Sequence, residues 1–518
     1  MNAREELGAA LVVHTMSAER GSSGGLLQTS DSGAPSIAMA AGVDSAVGAG
    51  KLKSKALGTA DIVFMVVAAA APMAVTVGLM PMAFAFGNGA GVTLSWLCAV
   101  GAMLLFAVGY VRIVPFVRNA GAFYAYVAVS VGRTWGLGAA YVAALSYFCL
   151  SCSTLGGLAF FAEQLFEQVT GHHLHWALWA GTSIALMAWL SYRQINLAAA
   201  VLGVALVAEI IVLMVLDVRV LLVLGPKGLD FSVFSPGWLL APGLGITSIY
   251  AFNSMIGVEG TAIYQEEARN PAVTVPRATF IALGLVGLFY VFTAWCLTIA
   301  VGSTHVAAVA RSSPNTFVAD RYMTYFGTAG ATTVGVLVLT STFAAALGLS
   351  NNSARYLFAL ARDGVLPAVL ARTHPTHQSP HVAGLTVSAG LLLVMTCAAA
   401  LGLHPLFTVQ NALAGLGSVG LMALLGITSL VIPVFFIRRG SASVANALAP
   451  ACGGIIILVA TVIAFMNYSA LTGVTSGVIN HFPYLLIAVA AVGVAQGLWI
   501  RAHRPQMYQL IGSARVDR

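Results

Sequence analysis

Charged residues are scarce in this chain of 518 residues, of which only 8% are Asp, Glu, Lys or Arg. A soluble domain carries about 25%, and so few charges could not cover the roughly two or three soluble domains expected at this length. The scarcity argues against a soluble enzyme, a disordered protein and a partner of nucleic acid. The net charge of +7 does not alter this, because the placement of cations matters more than their sum in a membrane protein.

Motifs for metal binding and catalysis are also lacking. The six cysteines are scattered through apolar runs, and Cys149 and Cys152, with CxxC spacing, are interpreted as small residues of a membrane helix. Neither a zinc-protease HExxH motif nor a phosphate-binding P-loop occurs. His172, His173 and His175 lack the carboxylate or cysteine pattern of a zinc site. We therefore expect no enzyme activity, no catalytic residue, no metal and no cofactor.

What the chain has instead is apolar runs of about 20 or more residues, which recur from Leu57 onward. A helix needs about 20 such residues to cross a hydrocarbon core of about 30 Å, and lipid offers no partner to an unpaired backbone group. We predict an all-α polytopic protein of the lipid bilayer with twelve transmembrane helices. Their approximate limits are 59–86, 92–112, 137–165, 174–192, 196–224, 241–267, 277–302, 331–362, 382–402, 406–437, 448–471 and 481–501.

The remaining segments define the ends and the divisions of the chain. Residues 1–50 are rich in Ser, Gly and Ala and lack the apolar stretch of a signal peptide. They predict a disordered cytoplasmic tail, and 502–518 predict a second one. The helical parts between them are 57–224 with helices one to five, 241–437 with helices six to ten, and 448–501 with the last two.

The orientation follows from the lysines and arginines. With twelve helices, 20 of the 24 cations lie on the side that holds both termini. The other four are Arg219, Lys227, Arg311 and Arg321. The positive-inside rule therefore predicts cytoplasmic termini and a place in the cytoplasmic membrane. The Ala and Gly richness suggests a bacterial source.

Two of the runs are interrupted. The first contains Pro72, which removes a backbone donor and clashes with the carbonyl four residues back, and the sixth contains Gly257 and Gly260 on either side of Glu259. Interrupted helices at matching positions of two repeats point to a substrate site at the membrane midplane. The alternative is an ordinary proline kink, with glycines that let helices pack closely.

Two acids, Glu209 and Glu259, lie well inside apolar runs. An ionisable group in a membrane is a functional hypothesis by default, so both are candidates for proton carriers or sodium ligands. The alternative is a neutral acid bonded to backbone freed by a break. Ser341 and Thr342 are weak sodium candidates, because such hydroxyls commonly bond their own helix. Acids nearer the helix ends are Asp61, Glu163 and Asp217.

Several stretches together resemble amino acid permeases of the amino acid–polyamine–organocation superfamily. They are Gly257-Val258-Glu259, QEEARNP at 265–271, VPRA at 275–278, LFALARDGVLP at 357–367 with the His-Pro and Ser-Pro pairs that follow, and RNAGAFYAY at 118–126. The resemblance implies a LeuT-like fold of two inverted five-helix repeats plus two C-terminal helices. It covers the chain from about Leu57 to the end of the twelfth helix.

The resemblance also implies a substrate site between helices one and six, walled by helices three, eight and ten. The backbone around Ala70, Ala71, Pro72 and Met73 would meet the substrate carboxylate. The backbone around Asn253, Ser254, Met255, Ile256 and Gly257 would meet the amino group and side chain. Glu259 stands where relatives have an acid linked to protonation and gating.

The chain departs from the family pattern in three places. Ala and Pro replace the usual Gly-Ser-Gly-like break in helix one. Asn253 and Met255 occupy the places of aromatic residues beside the break in helix six, so the aromatic gate is Phe252 or is absent. Glu209 lies near the position of a lysine that many members carry in helix five, which reverses the charge and leaves the coupling ion open.

These observations predict a secondary transporter of amino acids or related amines that works by alternating access with proton symport. Substrate exchange and sodium symport remain alternatives. A membrane enzyme, a channel and a sensor are less favoured. The acids would suit a cationic amino acid or an amine, whereas Met255 and the many alanines would suit a neutral apolar side chain.

Overall fold

A computed structural model describes residues 57–117, 121, 123–193, 196–265, 267–375, 379–469 and 477–512. The predicted tail 1–50 lies outside these residues, as do residues 513–518 of the predicted tail 502–518. The described chain is almost entirely helical and contains no β-strand. The prediction of an all-α fold is therefore confirmed.

The helices follow one another with short connections. In chain order they are α1 Thr59–Ala70, α2 Pro72–Ala74, α3 Met80–Phe86, α4 Val92–Ile113, α5 Phe123–Ser130, α6 Arg133–Thr170, α7 Trp176–Arg193, α8 Asn196–Leu224, α9 Leu244–Met255, α10 Gly260–Ile263, α11 Pro271–Val301, α12 Val306–Ser312, α13 Phe317–Arg362, α14 His381–Ala400, α15 Asn411–Arg438, α16 Ala449–Met466, α17 Phe482–His503 and α18 Pro505–Leu510. The π-helical turns are Val75–Leu79, Pro405–Gln410 and Val444–Leu448.

Nine helical stretches of the described residues are long and apolar enough to cross a membrane, which makes this a multi-pass membrane protein. Three of the twelve predicted spans are not among the nine, namely 174–192, 196–224 and 241–267. They correspond to α7, α8 and the pair α9 and α10. The pair is split, and its halves of 12 and 4 residues are each too short to cross alone. The count of twelve stays a prediction.

The two predicted interruptions are present. The first break, Ala70–Met73, separates α1 from α2, and Ala71 has the left-handed backbone angles φ 48° and ψ 71°. The second break, Ile256–Glu259, separates α9 from α10, and Gly257 has φ 112°. Both runs therefore change direction where Pro72 and Gly257 predict it.

The long helix α6 lies at the centre of the bundle and packs against α13, α15 and α17. Small residues permit this packing. A Cβ atom added to Gly493 of α17 would lie 2.8 Å from the Cα of Gly138 in α6, so the two backbones are in direct contact. Such small-residue contacts are the usual way in which membrane helices approach closely.

One end of the bundle, called the Leu57 face, joins distant parts of the chain. Leu57 pairs with the segment after α10, donating its N–H to the Glu267 carbonyl over 3.0 Å and accepting from Arg269 over 2.9 Å. Glu267 forms an ion pair with Arg355 of α13. Beyond α13, Asp363 Oδ2 accepts a hydrogen bond from the Tyr124 hydroxyl of α5 and another from the Gly512 N–H, each 2.9 Å long.

Candidate functional site

A cavity of about 70 Å³ lies between the first break and the second break. Its walls come from both broken helices and from α6, α13 and the π-turn before α15, so the expected site between helices one and six coincides with a cavity. The lining residues are Ala69, Ala70, Ala71, Ala74, Val75, Gly78, Leu79, Leu150, Ser153, Thr154, Phe161, Asn253, Ile256, Thr342, Ala345, Leu349 and Gln410. Every lining side chain is uncharged.

The first break exposes backbone groups that bond to other helices. The Ala70 carbonyl accepts a hydrogen bond of 2.8 Å from the Tyr290 hydroxyl of α11. On the other side of the break, the Met73 N–H points to Glu209 Oε2 at 3.4 Å and the Ala74 N–H to the Ser341 hydroxyl at 3.3 Å. The start of α2, which favours an anion through its helix dipole, thus holds the carboxylate of the protein itself.

Glu209 reaches the first break from α8 and is buried. Its carboxyl lies beside the Ser341 hydroxyl of α13 as well as the Met73 N–H. Thr342, the next residue, turns its hydroxyl back to the Val338 carbonyl of its own helix over 2.7 Å. Of the two weak sodium candidates, the structure therefore brings Ser341 to Glu209, whereas Thr342 bonds its own helix and also lines the cavity.

The second break is closed by an acid of its own. Glu259 is 1% exposed, and its Oε2 accepts a hydrogen bond of 2.9 Å from the Gly257 N–H. Its Oε1 accepts one of 2.6 Å from the Tyr147 hydroxyl of α6, and its carbonyl accepts one of 2.6 Å from the Tyr110 hydroxyl of α4. Three hydrogen bonds therefore hold this break, one from within it and two from tyrosines of α4 and α6.

The predicted residues divide between the cavity and its surroundings. Ala70, Ala71, Asn253 and Ile256 line the cavity, and the others do not. Those outside the lining are Pro72, Met73, Phe252, Ser254, Met255 and Gly257. The division around the second break follows from helical geometry, because residues three apart share a face and adjacent residues point about 100° apart.

Gln410 is a cavity residue that the sequence reading missed. Its side chain packs into space left by Gly157 of α6, where an added Cβ would lie 2.0 Å from Gln410 Oε1. That oxygen has no hydrogen-bond partner among the described residues. The Ser153 hydroxyl donates to the Gln410 carbonyl over 2.9 Å. The place of Gln410 opposite a glycine of the central helix depends on how the helices pack, so no local signal in the sequence marked this residue.

The histidine-rich loop forms a local contact. His173 Nε2 lies 3.0 Å from Glu163 Oε1, which also accepts a hydrogen bond from the Trp176 N–H over 3.1 Å. Across the described ranges, no group of three or more His, Cys, Asp or Glu residues is arranged to hold a metal ion.

The comparison with protein families identifies the family of this chain. The sequence model described as "Amino acid permease" matches residues 57–497. This chain belongs to that family. The permease has two uncoiled helices facing one cavity, and the resemblance in its loop motifs is thereby confirmed.

Individual relatives are more distant. The permease is 24% identical to the branched-chain amino acid permease BcaP of Bacillus subtilis, over 57% of this chain and 65% of that protein. It is 25% identical to the methylthioribose transporter of the same organism, with the same coverage. It is 24% identical to the low-affinity putrescine importer PlaP of Escherichia coli, over 62% of this chain and 68% of that protein. The matched region spans about two thirds of the length of these relatives.

A solved structure shows the fold. The crystal structure of MhsT in complex with L-phenylalanine superposes with a TM-score of 0.53, at 17% identity, over 81% of this chain and 99% of that one. MhsT has the LeuT fold. The likeness supports the LeuT-like fold that the resemblance in sequence implies.

Proposed function

We propose that this permease is a secondary active transporter that moves small neutral amino acids across the cytoplasmic membrane by alternating access, coupled to protons. The observation that carries the proposal is the cavity between the first break and the second break. Unwound segments at matching helices are where transporters bind substrate. The relative BcaP, by its name a permease of branched-chain amino acids, supports the substrate class.

The lining of the cavity supports a neutral substrate. A buried cationic side chain needs a carboxylate partner, and both Glu209 and Glu259 lie outside the lining. This argues against arginine and against a polyamine such as the putrescine named for PlaP. The cavity volume of about 70 Å³ is about half of a 150 Å³ cavity that binds benzene, which favours a small side chain. Gln410 Oε1 offers an acceptor to a hydroxyl or amide.

The position of Glu209 supports symport with a proton. An ionised Glu209 competes with the substrate carboxylate for the Met73 N–H at the start of α2. A protonated Glu209 carries no charge to be held by the helix dipole, so the Met73 N–H becomes available to the substrate, while the Ala74 N–H stays bonded to Ser341. Proton binding therefore promotes substrate binding, which is the requirement for symport. We assign Glu259 to holding and gating the second break.

The test is transport by the purified permease in liposomes. We expect labelled serine or alanine to accumulate under an inward proton gradient without sodium, while arginine and putrescine do not. Gln410→Leu should lower the preference for serine over alanine. Accumulation of arginine or putrescine alone would contradict the substrate class. Dependence on sodium would favour a cation at Glu209 and Ser341, and counterflow without gradient-driven accumulation would favour an exchanger.

We also propose the topology of twelve spans with both termini in the cytoplasm. The distribution of 20 cations against 4 supports it. Labelling of single cysteines placed at Lys227 and at Arg439 from outside intact cells tests it. We expect only the first to be labelled, and the reverse result would invert the topology.

A further inference from the structure

Asp217 of α8 is a buried carboxyl outside the cavity and both breaks. It is 0% exposed. Its Oδ2 accepts a hydrogen bond of 2.7 Å from the Thr293 hydroxyl of α11, whereas its Oδ1 has no hydrogen-bond partner among the described residues. Half of this carboxyl is therefore unsatisfied in a low-dielectric environment.

Among the described residues, no positive charge compensates the charge of an ionised Asp217. The titratable groups in electrostatic range on neighbouring helices are the Cys296 thiol of α11 and the Tyr322 phenol of α13. Both are neutral acids. Arg219, the cation two residues further along α8, is exposed, and no ion pair to Asp217 occurs among the described residues. An ionised carboxylate with one hydrogen bond would leave the desolvation of its charge uncompensated, and a proton on Oδ1 removes that cost.

Asp217 is also aligned with the first break. It follows Glu209 by eight residues, about 12 Å along the helix axis at 1.5 Å per residue, on the side away from the Leu57 face. The facing helix α11 contacts both the first break and Asp217. Its Tyr290 bonds the Ala70 carbonyl at the break, and three residues later its Thr293 bonds Asp217.

We propose that Asp217 is a second proton-binding site of this permease, loaded from the side opposite the Leu57 face before Glu209 receives its proton. In the first step a hydronium ion transfers its proton to Oδ1 and leaves as water. In the second step the Asp217 O–H bond breaks, water carries the proton the roughly 12 Å to Glu209, and an O–H bond forms on the Glu209 carboxylate. The proposal rests on the proposed proton symport for its role in transport. The binding of a proton at Asp217 can be measured whether or not the permease is a proton symporter.

The first experiment measures the proton itself. Infrared difference spectra of the purified permease between alkaline and acidic pH report the C=O stretch of each carboxyl that gains a proton. We expect a band that is lost in Asp217→Asn and kept in Thr293→Val, which removes the hydroxyl donor but leaves the carboxyl. Identical spectra in wild type and Asp217→Asn would overturn the proposal, whatever the permease transports.

The second experiment measures the role in transport. Asparagine keeps the size of the side chain and an acceptor for Thr293, so a structural role is retained in Asp217→Asn. We expect proton-driven uptake to fall at least tenfold and its pH profile to flatten, while counterflow stays within twofold. Unchanged pH profile and uptake would overturn the transport role. Absence of proton-driven uptake in the wild type would refute the proposed function, and the infrared band would still decide the proton site.

Discussion

The two breaks differ in the residues that form them and in the partners of their unpaired backbone N–H groups. The first break has no glycine, and its free N–H groups bond to Glu209 and Ser341 from two other helices. The second break turns at Gly257 and is closed by Glu259 from within the same segment. The N–H partners of the first break lie on other helices and can separate from it when those helices move. The Gly257 N–H instead has its partner two residues away, and that partner moves with it. The first break is thus suited to coupling and the second to a fixed turn.

The backbone of each break reinforces this difference. Ala71 is the non-glycine residue with positive φ among the described residues, and a left-handed conformation costs an alanine about 1–2 kcal/mol. Such strain persists only where the surroundings over-determine it. At Gly257, φ 112° is accessible to glycine without that cost. The first break stores strain that its partners hold, and the second stores none.

Glu209→Gln should have the largest effect, because it removes the titrating group from the first break. We expect gradient-driven uptake to fall by about 5- to 150-fold, the range of a coupling free energy of 1–3 kcal/mol, with counterflow retained. Uptake as a function of pH in liposomes measures it. A pH profile equal to wild type would refute the coupling role of Glu209.

Gly257→Ala should damage the second break without changing coupling. The added Cβ would meet Ala69 Cβ at 3.2 Å in a backbone conformation that alanine rarely adopts, a strain of about 1–3 kcal/mol. Uptake and counterflow should fall together, with an unchanged pH profile. Gly284→Ala, at a glycine with open space around it, is the matched control and should behave as wild type. Loss of the pH dependence of uptake in Gly257→Ala would show that the second break also takes part in proton coupling.

Tyr147→Phe should loosen the second break more gently. It removes the donor to Glu259 Oε1, worth about 1 kcal/mol for an average hydrogen bond. A lower thermal midpoint and a several-fold change in counterflow are expected, with proton coupling intact. Tyr484→Phe changes an exposed tyrosine and serves as the control. Equal thermal midpoints in the two variants would show that the hydrogen bond from Tyr147 does not stabilise the second break.

Ala71→Gly should have the smallest effect. It relieves about 1–2 kcal/mol of backbone strain and adds about 0.5–1 kcal/mol of unfolded-state entropy, so the free energy of unfolding should rise by about 0–1.5 kcal/mol. Uptake should stay within twofold of wild type. A clear loss of stability would show that Ala71 is not strained and that its methyl group is what the first break requires.

The sequence was sufficient for the features that depend on residue type alone. Pro72 and Gly257 predicted where helices break, and the rarity of acids in apolar runs singled out Glu209 and Glu259. Contacts that depend on how the helices are rotated against each other could not be predicted from the sequence. Ser341 and Thr342 are neighbours, yet only one reaches Glu209, and nothing local marked Tyr147 as the donor to Glu259 or Gln410 as a wall of the cavity.

The contact at Asp363 has a consequence for biosynthesis. Its carboxylate accepts a hydrogen bond from the Gly512 N–H, which is translated 149 residues later. Because the N-terminal part of a chain is synthesised first, the helices before Asp363 are made while this partner does not yet exist. The Leu57 face can therefore be completed only by residues that follow every predicted span in the chain.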